Sequence, residues 1–400
     1  MTTLLKIDPP ARREPDAGTR FALWALGFRP FYLLAAAFAA LAVPLWVVQY
    51  AGFGHRAGWP AMLWHAHEMV FGFAVAVVTG FLFTAGRNWT GLATPTGGRL
   101  AFLCVLWLGA RAAYLAGANE AALAIELAFL ALVAVALLSV LVRARSTRNY
   151  FVAGLFVVLA VVDVAFHAAA RGVGGAFDIA AASRMGLYLI ALLTVVIGGR
   201  VIPMFTANAL RGVRQYRSVW LDRVALAAVA VAFALDLAGV SGGALMASAA
   251  TAAIAQAVRL AGWGPFATWR NPLLWILHAS YAWLVVGLAL LATAAAGWTP
   301  PSLATHALGV GLIGGLIAGM ITRTALGHTG RMLVAGRAET AMFALVQLAA
   351  VVRVLGAGLF PSQSMSVMTV SAAMWSCAFA LYLVVYWPRL SRSRVDGRDG

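Results

Sequence analysis

The sequence predicts an all-α integral membrane protein of about twelve transmembrane helices. Three observations carry that expectation. Of the 400 residues, 63% are hydrophobic and only 10% are charged, whereas soluble domains carry about 25% charged residues. The mean hydropathy is +0.89, an excess of apolar surface that must face lipid. The apolar residues also fall into segments close to the ~20 residues that a bilayer crossing requires, with short joins between them.

The elements follow in chain order. Residues 1–20, MTTLLKIDPPARREPDAGTR, carry prolines and both signs of charge. They lack the apolar core and small-residue cleavage site of a signal peptide, so the first span is expected to stay as an anchor behind a disordered tail. The spans run roughly 30–50, 63–85, 100–117, 120–142, 150–170, 184–207, 220–239, 243–262, 273–296, 303–325, 338–358 and 365–387. Residues 21–388 are thus one polytopic domain, and 389–400 form a basic tail. The joins are too short for a soluble domain. Cys104 and Cys377 lie inside spans and form no CxxC pair, so a disulfide framework is not expected.

Charge gives the orientation. The net charge is +16, from 29 Lys and Arg against 13 Asp and Glu. The arginines lie between apolar spans rather than in one patch, which argues for topology and against a nucleic-acid partner. Counting each helix end with its nearer face, 24 of the 29 basic residues fall on the side of the termini. Both termini are therefore expected in the cytoplasm.

Spans 2, 6 and 10 end alike, in TGFLFTAGRNWTG, IGGRVIPMFTANA and AGMITRTALGHTGR. The spans after them carry ARAAYLAG, FALDLAG and VVRVLGAG. Three repeats of four helices account for the echo, as does chance similarity among Gly- and Ala-rich helices.

The chemistry concentrates in WHAHEMVFGF, residues 64–73. Ionisable groups inside a membrane are costly and mark function. His65 and His67 head span 2 at the outer face, and His306 heads span 10 at the same depth. His167 lies near the outer end of span 5 and His55 in the outer loop. His278 and His328 lie toward the cytoplasmic side. Imidazole is a common ligand of haem iron and of copper, and two histidines on different helices at one depth can clamp a macrocycle. Gly311, Gly315 and Gly319 form a ridge that admits a close partner, either a porphyrin or another helix.

Residues two apart on a regular helix point about 200° apart, so His65 and His67 cannot share one metal there. Either one faces a haem and the other a second metal, or the segment is extended and both fall on one side. Glu68 is a candidate to orient an imidazole, and Met69 a soft copper ligand. Asp163 and His167 can pair on one face of span 5. Asp236 and Arg353, with similar surroundings, are candidates for an interhelical pair. Arg111, Arg200 and Arg323 are candidates to neutralise propionates or to snorkel. GHTGR at 327–331 reads as a turn ending span 10, or with His278 as a second ligand site.

WHAHEMVFGF and TGFLFTAGRNWTG, together with GFRPFYLLA, RVIPMFT, LHASYAWL, HALGVGLIGG and MITRTALGHTGR, resemble the motifs of the NnrS family. These are haem- and copper-containing membrane proteins of bacterial nitric-oxide metabolism. The resemblance runs from about residue 20 to 390. It implies a multi-pass protein of the bacterial cytoplasmic membrane, linked to nitric oxide, denitrification and protection from nitrosative stress. It further implies a b-type haem and copper as cofactors. His65, His67, His306 and His328 match the family's recurring histidines, and His278 more weakly.

The reading that results is a haem and copper protein that binds or reduces nitric oxide, supplied by a membrane or periplasmic electron donor. Its metal ligands would come from His65, His67, Glu68, Met69 and His306, with His278 and His328 as the second site. Whether it is an oxidoreductase stays open. Haem–copper oxidases share twelve helices and histidines on the second and tenth, but spans 6 and 7 here hold no histidine. The rival reading is a transporter with a histidine metal-ion or proton relay site.

Overall fold

The computed structural model describes residues 18–53, 58–173 and 178–398. Among these residues there are long helices and no strand. In chain order they are α1 (Phe28–Tyr50), α2 (Ala61–Thr90), α3 (Gly97–Leu115), α4 (Asn119–Arg143), α5 (Phe151–Ala170), α6 (Ile179–Ala209), α7 (Val219–Leu237), α8 (Gly243–Ala261), α9 (Pro272–Ala295), α10 (Pro301–His328), α11 (Arg337–Leu359) and α12 (Ser364–Leu390).

Eleven segments are long and apolar enough to cross a membrane. The other helix, α7, is 19 residues long and carries Asp222, Arg223 and Asp236, which dilute its apolar character. Large apolar side chains such as Leu41, Val135, Val161 and Val384 stand exposed on the bundle's outside, where lipid replaces water as their solvent. Helix starts follow local chemistry. Asp178 accepts a hydrogen bond from the Ala181 amide at the head of α6, and Asn271 caps α9 ahead of Pro272.

The neighbour relations repeat every four helices. α11, α12, α1 and α2 pack in succession, as do α3 to α6 and α7 to α10. The last member of each set, α2, α6 and α10, meets the other two at the centre. Spans 2, 6 and 10, whose sequences echo one another, therefore occupy equivalent places. Asn88, Asn208 and His328 stand 120 residues apart from one to the next on these helices. That regularity favours three repeats over chance similarity.

Both termini lie on one face. The backbone at residues 20–22 pairs with that at 391–393, and the Arg29 guanidinium donates to the carbonyls of Leu390 (2.9 Å) and Arg392 (2.6 Å). Part of the segment expected as an N-terminal tail is thus tied to the start of the C-terminal one.

Three helices are not regular throughout. α2 widens to π-type turns over Glu68–Ala74, α10 over Ala307–Gly314 and α11 over Val352–Gly356. Such turns concentrate at functional sites. These three lie toward the face opposite the termini, next to the histidines.

Candidate functional site

α2 is α-helical over Ala61–His67, so the extended alternative for WHAH does not hold. His65 and His67 project to opposite sides of the helix, as the ~200° step requires.

His65 faces a cavity of about 350 Å³ at the centre of the bundle, on the face opposite the termini. His306 lines the same cavity from α10, and Arg184 and Arg353 contribute from α6 and α11. Most of the remaining wall is apolar, from Trp46, Val70, Phe73, Ile313 and Trp375 among others. The His65 ring stacks on Trp46 with centroids 4.2 Å apart, and its buried Nδ1 has no hydrogen-bond partner. The His306 Nδ1–H donates to the Ser302 carbonyl at 2.7 Å. That bond fixes the ring and leaves Nε2 with a free lone pair. Met69 lines this cavity too, so it sits on the His65 side of α2 rather than with His67.

The glycine ridge of α10 serves a helix. A Cβ on Gly319 would lie 2.7 Å from Leu277, and Gly311 and Gly315 abut Trp283 and Ser280. All these partners belong to α9.

His67 points the other way, into a buried cluster between α2, α3, α4 and α5. Its Nδ1 lies 3.0 Å from Glu68 Oε1 and its Nε2 2.9 Å from Asp163 Oδ1. Glu126 Oε2 is 3.6 Å from the same Nε2. His167 Nε2 is 3.7 Å from Asp163, and its N–H donates to the Tyr114 hydroxyl oxygen at 2.9 Å. Tyr114 also donates to Glu126 at 3.0 Å. Arg111 spans Glu68 (3.1 Å) and Glu126 (2.5 Å). Trp59 closes the cluster with its ring against His67, His167 and Tyr114. Ligand atoms of His67, Asp163 and His167 all lie within 4.8 Å of one another, and all three residues are buried.

The other expected residues fall elsewhere. His278 donates to or accepts from Thr206 at 2.9 Å and faces Trp263. His328 lines a second cavity, of about 710 Å³, on the termini face. Neither described cavity is lined by both. Arg323 lines that second cavity as well, Arg200 is exposed, and Arg111 is held by carboxylates. Asp236 pairs with Arg184 at 2.8 Å rather than with Arg353. His55 lies outside the described residues. Cys104 and Cys377 are free.

The NnrS family profile matches residues 22–394, nearly the whole chain. The chain belongs to the NnrS family. No curated protein matches it. It is a nitric-oxide-related, multi-pass membrane protein, consistent with the bacterial inner membrane.

The NnrS chain's residues fit the groups its family implies. A buried Nδ1 without a partner, an imidazole locked so that Nε2 is free, and an apolar cavity between them suit a haem. The guanidinium groups of Arg184 and Arg353 suit its carboxylates. The second cluster offers imidazole and carboxylate donors, which suit a divalent metal.

Sequence reasoning missed Glu126 and Tyr114. Glu126 sits on an apolar helix, and its only signal was the cost of an isolated carboxylate in span 4, which demands a partner from another helix. Tyr114, one turn from Arg111, reads in sequence as an ordinary aromatic of span 3.

Proposed function

We propose that this protein is a haem- and copper-binding membrane protein that binds nitric oxide, and reduces or sequesters it, on the side of the membrane opposite its termini. The observation that carries the reading is the pair of imidazoles, His65 and His306, facing one apolar cavity from two central helices. Haem held there supplies an iron centre able to bind a diatomic gas or pass electrons.

The chain's own contributions follow from the geometry. His65 and His306 would hold the haem, one of them giving way where the iron is to take a gas. Ser302 fixes the His306 tautomer through its carbonyl. Arg353, and Arg184 beside its partner Asp236, would neutralise carboxylates of the bound macrocycle. The apolar wall excludes water and admits a small neutral gas.

Copper is assigned to His67, Asp163 and His167, with Glu126 beside them. Three carboxylates, Glu68, Glu126 and Asp163, share the cluster with Arg111 and with His67, whose two ring nitrogens each face a carboxylate. A divalent ion taking the place of an imidazole proton would balance the remaining negative charge. Glu68 and Tyr114 then act as partners that orient the imidazoles. Two metal centres on opposite sides of α2 suit an electron relay into the haem cavity.

The test is purification in detergent with absorption spectra in both redox states and iron and copper assays on the same sample. A Soret band that shifts with nitric oxide and is lost in His306→Ala supports the reading. A folded, colourless and metal-free protein, made with adequate haem supply, overturns it. One observation favours the transporter as the second reading: both cavities lie along the same three helices, α2, α6 and α10, at opposite ends. That metal-free outcome would bring it to the front.

A further inference from the structure

We infer that the cavity on the termini face is a binding site for a phosphate oxyanion, independent of the haem reading. The cavity is about 710 Å³ and is lined by the ends of α2, α6 and α10 with the start of α9. Three of its polar side chains, Asn88, Asn208 and His328, come from equivalent positions of the three repeats, each 120 residues from the next. They converge on the pseudo-threefold centre. Amide and imidazole N–H groups in that arrangement present donors from three directions, which matches the oxygens of a tetrahedral anion.

Charge selects the same ligand. Arg323 lines the cavity, and its guanidinium carbon lies 3.9 Å from the centroid of the Phe205 ring. Among the described residues it has no carboxylate partner and no hydrogen bond. No Asp or Glu lines the cavity. Arg394 donates to the His328 carbonyl at 3.2 Å, and Arg29 and Arg87 also surround His328. Arg394 is itself paired with Asp396 at 2.6 Å, so Arg323 is the lining cation without a carboxylate, and a cavity lined by it and by donors favours an anion over a metal cation. Arginine held on an aromatic face presents its fork to such a group.

Two sources supply that chemistry, an anionic phospholipid headgroup and free phosphate. The rim is apolar, since Leu333 lines the cavity between exposed Met332 and Val334, as suits a mouth at the membrane interface. Basic pockets between helices at this depth hold anionic headgroups.

The experiment uses the full-length protein in nanodiscs of phosphatidylcholine, compared with discs that also contain phosphatidylglycerol, and with phosphatidylcholine discs given inorganic phosphate at constant ionic strength. The unfolding midpoint is read in each, with lipids retained after extraction counted by native mass spectrometry. Wild-type protein is expected to gain stability from one of the two and to retain phosphatidylglycerol if the lipid is the source. Arg323→Gln is expected to weaken the response at least about tenfold, the scale of one charge-assisted contact, while Arg323→Lys keeps part of it. A response to phosphate alone identifies the free anion. If Arg323→Gln does not fold, Asn208→Leu replaces it. No response to either ligand, or an equal response in the variant, overturns the inference.

Discussion

His67 Nε2 lies 2.9 Å from the Asp163 carboxylate of α5, while His65, two residues earlier, stacks on Trp46 of α1 and faces the central cavity. One turn of α2 therefore serves two sites with separate partners, and substitutions there should separate.

His67→Ala and Asp163→Asn are expected to lose copper and keep the haem spectrum. His306→Ala is expected to do the reverse. Iron and copper per protein, measured on the same preparations, check this. Loss of both metals in every variant would mean that the two sites form one.

Arg111 neutralises Glu68 and Glu126 where all three are buried. Arg111→Ala removes the guanidinium that bridges two buried carboxylates and leaves them to His67 and Tyr114, a loss of up to about 3–5 kcal/mol on the scale of broken buried pairs. The unfolding midpoint in detergent should fall by many degrees. Arg171, whose pair with Glu120 is largely exposed, is the control, with an expected effect below about 1 kcal/mol.

Gly72 lets α1 and α3 approach α2 at the head of the cluster. A Cβ there would stand 2.7 Å from Phe38 and 3.0 Å from Arg111 Nη1. Gly72→Ala should cost about 1–3 kcal/mol by overpacking, and should perturb copper content more than haem content.

Outside the membrane, Arg394 holds the Asp396 carboxyl down to about 2. A depressed carboxylate stabilises the folded tail above its unfolded value of about 3.9 and loses that contribution as pH falls toward 2. A spin label at Ser393→Cys, in a background with Cys104 and Cys377 replaced, should keep constant mobility from pH 8 to about 4 and loosen below it. Loosening near pH 6 would point to a different clamp.

The helices and their number were legible because span length is a local property, whereas WHAH admitted both a helical and an extended reading until the structure showed the helix. The pairing of Asp163 with His167 was legible because the helical period is local too, at four residues' separation. The partners of Glu126 and Tyr114 were not, since they depend on which helices meet. The Asp236–Arg353 pair failed for an instructive reason. Similar flanking sequences mark corresponding helices of different repeats, α7 and α11, not helices in contact. Corresponding helices are related by rotation about the centre, which keeps them apart. Each residue instead faces the central helix of its own neighbourhood, Asp236 toward Arg184 of α6 and Arg353 into the cavity beside His306 of α10.

The wide turns of α2 have a consequence for how its two ends are coupled. A π-type turn takes up one residue more than an α turn over nearly the same rise. Wound as regular α turns with no residue removed, Glu68–Ala74 would no longer absorb that extra residue. The outer end of α2 would then swing by about 100° against its inner end. His65 would leave the cavity, while Asn88 kept its place on the opposite face. The seam between Glu68 and Ala74 acts as a phase setter: it lets the two halves of one helix be aimed independently.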